Sequence, residues 1–173
     1  MLNKDYEIDY HSIIAKTLYS GMFINILIPM AGLMLCYYLD QKSYVANKTG
    51  DMANGLFYVF GLLAVLQAGY VFWMRSRAFR RPMIRHEDTF EQDLAAGLFK
   101  VSRPIFLIIS SISFYGYIYY YLTGRFKEAV FLVFMSFLIF QVVRPRIGIV
   151  KKLVREQKVL VQKGEFLRSD LIT

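Results

Sequence analysis

The sequence predicts an all-α integral membrane protein: four transmembrane helices as two hairpins, a short interfacial helix between them, and a basic amphipathic C-terminal helix. Three observations lead there. The 173 residues are 56% hydrophobic and 17% aromatic yet carry a net charge of +8, so apolar runs must alternate with charged intervals. Four of those runs approach the ~20 residues that cross a hydrocarbon core. Most Lys and Arg residues are gathered in two of the intervening segments.

The amino-terminal stretch MLNKDYEIDY is acidic, the opposite of a secretory leader, and the apolar run after it is too long for a signal peptide. The first span, 13–39, is therefore expected to stay in the membrane, with Lys16 snorkelling at its start and Tyr37 and Tyr38 at its end. Pro29 has no N–H and frees a backbone carbonyl about one turn earlier, which predicts a kink near Asn25. The connection from Asp40 to Asn54 sums to no net charge and holds a turn-like Asn47-Lys48-Thr49-Gly50-Asp51; its glycosylation sequon is too common a pattern to carry weight. In the second span, 55–74, Gly61, Ala64 and Ala68 make one narrow face for close helix packing. Trp73 ends it, and Arg75, Arg77, Arg80 and Arg81 follow at once.

Beyond Pro82 the chain reads DTFEQDLAAGLFKVSRP. Asp88 with Glu91, or Thr89 with Gln92, has capping-box spacing, and Phe90, Leu94, Leu98 and Val101 recur on one face, which predicts a surface helix over 89–102. Arg103-Pro104 marks its join to the third span, 104–122. That span carries Ser110, Ser113 and Gly116 as a second packing face, and ends in Tyr115, Tyr117, Tyr119, Tyr120 and Tyr121, best explained as an aromatic belt. The fourth span, 128–143, is short; two full crossings are favoured over a re-entrant hairpin. In the tail, 146–173, Ile147, Val150, Leu153, Val154, Leu160 and Val161 form an apolar stripe beside Lys151, Lys152, Arg155 and Lys158, and Gly164 is placed to stop the helix.

The central interval holds seven Lys/Arg and the chain beyond Val143 eight, against two in each of the other connections. By the positive-inside rule the central loop, the tail and both termini are expected on the cytoplasmic side, and a bacterial inner membrane is the expected location.

No catalytic residue stands out. His86, Glu87, Asp88, Glu91 and Asp93 form the densest group of ligand-type side chains, and a metal-dependent lipid-headgroup enzyme could use such carboxylates. Capping and first-turn acids beside Arg81 and Arg85 explain them more simply, so no metal site is expected. Cys36 lies alone in an apolar run, and with two distant histidines no cofactor is expected. No charged side chain falls inside a span beyond its ends, which argues against an ion-coupled pump; Asn25, Gln67 and Gln141, with the serines, could line a polar path, but interhelical hydrogen bonding is their commoner use.

The basic stretches adjoin apolar spans and lack a nucleic-acid recognition fold, so anionic lipid or a protein partner is expected, and nucleic acid is not. The expected docking residues are Arg75, Arg77, Arg80 and Arg81, the tail cations Lys151, Lys152, Arg155 and Lys158, and the stripe Val150, Leu153, Val154, Leu160 and Val161. Ala129-Val130-Phe131-Leu132 opening the last span, and Gln141-Val142-Val143-Arg144-Pro145 closing it, resemble the small subunit I proteins associated with bacterial F-type ATP synthases. The likeness covers that span and the topology, with a much longer tail here; it implies an assembly factor linked to a rotor ring and magnesium supply. The reading that follows is a non-catalytic accessory or assembly subunit of a larger membrane complex. A small four-span transporter or lipid or sugar-lipid flippase, working as a homo-oligomer, is the alternative.

Overall fold

A computed structural model describes residues 8–43 and 51–167. The first seven residues of the acidic start, the turn at Asn47-Lys48-Thr49 and the last six residues of the tail lie outside the described residues. The described residues are 86% helix with no strand among them. Four helices are long and apolar enough to cross a membrane: α1 (Tyr10–Gln41), α2 (Asp51–Phe79), α3 (Phe90–Thr123) and α4 (Phe126–Val143). A fifth, α5 (Ile147–Gln162), follows the Pro145 break.

Helix α3 is the axis of the molecule. Leu94, Leu98, Ser102, Ile105, Ile109, Ile112, Gly116, Tyr119 and Thr123 are buried at intervals of three and four residues along its length. This stripe crosses Pro104 without a change of register. The sequence predicts two helices joined at Arg103-Pro104; the structure has one, 34 residues long with Pro104 inside it. Proline removes a single backbone bond, and continuous burial on both sides holds the helix through it.

Helix α4 returns along α3 after a tight connection in which Gly124 takes φ 69°, the left-handed conformation that glycine adopts without penalty. Contacts run in antiparallel order: Phe106 meets Phe140 edge-on, Ser113 Oγ lies 2.6 Å from Ser136 Oγ, and Gly116 faces Ala129 and Val133. The approach at Gly116 is so close that a Cβ there would sit 2.7 Å from the Ala129 carbonyl oxygen.

Helix α1 starts on Asp9, whose carboxylate accepts from His11 N–H and Ser12 N–H. At Phe23–Leu27 it widens into a π-helical turn, where Ile28 N–H donates to the Phe23 carbonyl instead of to Ile24. The next residue, Pro29, has no N–H to offer. The Ile24 carbonyl is thereby left without a partner in its own helix, and Ser110 Oγ of α3 donates to it at 3.2 Å. One turn on, Tyr117 Oη donates to the Pro29 carbonyl at 2.8 Å. The expected irregularity near Asn25 takes the form of this π-turn, anchored from α3 on both sides.

The tyrosines do not form the expected belt. Tyr119 and Tyr120 are buried with Cys36, Ala129 and Leu132; Tyr117 folds over Gly32; Tyr115 stacks on Phe60 with ring centroids 5.5 Å apart. Tyr121 alone of the five is fully outward, at 76% exposure. A row with tyrosines at nearly every position points round the whole helix, and three sides of α3 are covered by other helices.

Candidate functional site

The charged end of the bundle, where α5 returns, gathers most of the residues that the sequence marks for docking. Ile13 and Ile14 of α1, Met83 and Ile84 of the central loop, Leu94 and Leu98 of α3, and Val150, Leu153, Val154 and Val161 of α5 form one apolar cluster. The tail stripe offered above to a partner or to lipid is therefore buried against the protein's own loop and helices, with Leu160 half-covered at its margin. Burying the four large stripe residues contributes roughly 1.5–3 kcal/mol each, which is why the stripe closes on the nearest apolar surface, that of its own chain.

Gln157 holds this closure in register. Its Oε1 accepts the Met83 N–H at 2.8 Å and its Nε2 donates to the Arg81 carbonyl at 3.0 Å. The side chain is fully buried, and it gives the buried Met83 N–H a partner inside the protein while tying down the Arg81 carbonyl at the margin. Beyond α5 the chain turns back, and Leu167 N–H donates to the Ile84 carbonyl at 2.8 Å. Gln157 was missed as a functional position in the sequence. Its signal was there: it falls three residues after Val154 and four before Val161, a polar residue inside the apolar stripe.

What faces outward is cationic. Arg77, Arg80, Arg81, Lys151, Lys152, Arg155 and Lys158 are exposed, and Arg75 is half-buried. The Arg77 guanidinium lies over the Trp73 ring at 5.3 Å, Lys16 Nζ over Phe99 at 4.9 Å and Lys151 Nζ over Tyr10 at 5.5 Å, so several of these exposed cations rest their charged heads on aromatic rings. Lys152 pairs with Glu156 at 3.9 Å, an exposed contact of little energetic weight.

The acidic group does not assemble. Asp93 Oδ2 accepts from the backbone N–H of Arg85 and of His86 and from Thr89 Oγ1, which fixes the loop before α3. The expected capping box is absent: Thr89 stands at the N-cap without a side-chain cap bond, because its hydroxyl turns to Asp93. Among the described residues no group of three or more His, Cys, Asp or Glu could hold a metal ion.

The polar residues of the spans are dispersed. Asn25 Nδ2 donates to the Gly21 carbonyl of its own helix, Gln67 Nε2 lies 3.4 Å from Ser111 Oγ, and Ser113 pairs with Ser136. Gln141 is half-buried near the end of α4, where its carbonyl accepts from Arg146. On α2, Ala64 is fully buried and Ala68 half-buried against α3, whereas a Cβ at Gly61 would meet nothing within 4 Å.

No protein-family model, curated protein or solved structure matches the chain.

Proposed function

We propose that the protein is a non-catalytic accessory or assembly subunit of a larger membrane protein complex, inserted with both termini and the α5 end on the cytoplasmic side. The uneven cover of its helices carries this reading. In the most apolar stretch of α3 half the residues are buried inside the molecule, but in that of α2 only 11% are. Leu62, Leu66, Gly69 and Trp73 share one face of α2; Leu62 and Leu66 are 61% and 60% exposed, and a Cβ at Gly69 would touch nothing. Lipid can cover leucine, but an uncovered glycine costs a helix about 1 kcal/mol relative to alanine. Close approach of another helix is the compensation that glycine permits. The outward cations of α5 and the central loop add a second surface on the same side of the membrane, suited to acidic protein or anionic lipid.

A photoreactive amino acid in place of Leu66 tests the reading in intact membranes. The expected product is a crosslink to a different membrane protein, lost when Gly69→Leu fills the face. Recovery of the chain only as a self-oligomer, with transport in proteoliposomes, would overturn it.

One observation favours the transporter or flippase reading instead. Thr17 Oγ1, Asn25 Oδ1 and Gln67 Oε1 are buried oxygen atoms without hydrogen-bond partners, and Asn25 sits in the π-turn. Unpartnered acceptors inside a bundle suit a path that water or a polar solute enters. Proteoliposome flux sensitive to Asn25→Leu would decide for it.

A further inference from the structure

We propose that the cationic face of α5 docks on anionic phospholipid headgroups of the bilayer that holds α1–α4, so that the tail helix lies along the membrane surface. Of the two partners that suit the charged end of the bundle, acidic protein and anionic lipid, this inference names the lipid. It rests on the reading above only for the insertion of the four long helices.

The face follows from the helical repeat. Val150, Leu153, Val154, Gln157 and Val161 turn inward and are buried. At 3.6 residues per turn, Lys151, Lys152, Arg155 and Lys158 then share the opposite arc, and all four are exposed. The one acid of α5, Glu156, stands at the edge of that arc and pairs with Lys152 at 3.9 Å. Lys151, Arg155 and Lys158 form no ion pair among the described residues.

Position decides which anion is within reach. Helix α4 ends at Val143 and α5 begins at Ile147, so at most about 14 Å of extended chain separates them. Arg146 shortens the link, since its guanidinium donates to the Gln141 carbonyl at 2.7 Å, back in the last turn of α4. A bilayer's polar zone is itself roughly 5–7 Å deep beyond the hydrocarbon. The start of α5 thus lies within about one Debye length, roughly 8–10 Å in physiological salt, of the lipid phosphates. The aromatic partners agree: Lys151 Nζ rests on Tyr10 and the Arg77 guanidinium on Trp73, and rings of these two types concentrate at headgroup level.

A headgroup layer also suits the form of the face. From Lys151 to Lys158 its cations spread over roughly 10 Å of exposed helix, which several mobile headgroups can match at once. A protein partner would need acids held at the same spacing. Ile147 and Val159, 40% and 47% exposed beside the cations, gain from the apolar boundary beneath the headgroups.

The test uses the full chain in nanodiscs, with Cys36→Ala and a fluorophore on Gln162→Cys, a neutral exposed position of the same arc. The discs are phosphatidylcholine alone or mixed equally with phosphatidylglycerol, each with a trace of headgroup-spin-labelled lipid as quencher. Quenching should be about twofold stronger with phosphatidylglycerol, and the difference should vanish at ~1 M salt, where the Debye length falls to about 3 Å. Lys151→Gln, Arg155→Gln and Lys158→Gln combined should bring the two discs to near parity. Lys127→Gln, the loss of an exposed cation at the other end of α4, should leave the difference intact. Helical content in phosphatidylcholine discs checks the triple variant; the salt series needs none of these charge changes and decides alone if that variant does not fold. Both leaflets carry the same lipids and no other protein is present, so neither orientation nor a partner complex affects the result. A chain that does not enter the discs would overturn insertion and this proposal together. Equal quenching in the two discs, as expected if an acidic protein is the partner of α5, would overturn the proposal and leave the accessory-subunit reading standing. A difference that survives high salt or the triple substitution would do the same.

Discussion

Gln157 and Met83, 74 residues apart in sequence, are joined by a 2.8 Å hydrogen bond from the Met83 N–H to the Gln157 side-chain carbonyl. Replacing Gln157 by Leu keeps the volume, leaves the buried Met83 N–H without a partner and releases the Arg81 carbonyl. The expected cost is about 1–3 kcal/mol, and it should fall locally. Limited proteolysis should cut the central loop in the variant under conditions where the wild type resists, with little change in the helical signal. Equal protease resistance would mean that water replaces the glutamine.

The π-turn offers a coupled pair. Ser110→Ala should destabilise by about 1 kcal/mol, since it removes the donor to the Ile24 carbonyl. Pro29→Ala restores an N–H that lets α1 close its own bonds. In that background the Ser110→Ala penalty should shrink towards zero, and a double-mutant cycle in detergent unfolding reads the difference. Additive effects would show that the proline does not cause the irregularity.

Two glycines should respond oppositely to the same change. A Cβ at Gly116 meets the Ala129 carbonyl and Val133 Cγ2 at 2.7 Å, so Gly116→Ala must push α4 away, at about 1–3 kcal/mol. At Gly61 nothing lies within 4 Å. Gly61→Ala should therefore be neutral or stabilise by up to about 1 kcal/mol through helix propensity. Thermal midpoints in one detergent suffice to compare them.

Cys36 is the chain's single cysteine, and it is buried among Tyr119, Tyr120 and Leu132. It should resist maleimide in the folded protein and react on unfolding. In a Cys36→Ala background, a cysteine at Arg77 or at Lys152 should be labelled by an impermeant reagent only from the cytoplasmic side. Labelling of the two from opposite sides would refute the proposed orientation.

Helix identity was legible in the sequence because length and hydropathy depend on local composition alone. The α5 amphipathicity was legible for the same reason, but what its stripe touches depends on where the loop carrying Met83 and Ile84 lies, and periodicity does not say. The same limit applies to the tyrosines: their number suggests a belt, but four of the five pack against α1, α2 and α4, which surround that end of α3. Pro104 misled in the other direction. A proline rule describes one residue, whereas the buried stripe from Leu94 to Thr123 is a sum over many.

The closure of α5 onto the loop also orders events in time. Ile13, Ile14, Leu94 and Leu98 leave the ribosome well before Val150 and Val161, which cover them. Until synthesis reaches the tail, the nascent chain presents an open greasy surface at the end that carries its positive charge. Chains that terminate before α5 would retain that surface permanently and present it to chaperones and proteases. Burial by the tail would thus distinguish a finished copy from one that stops short of α5.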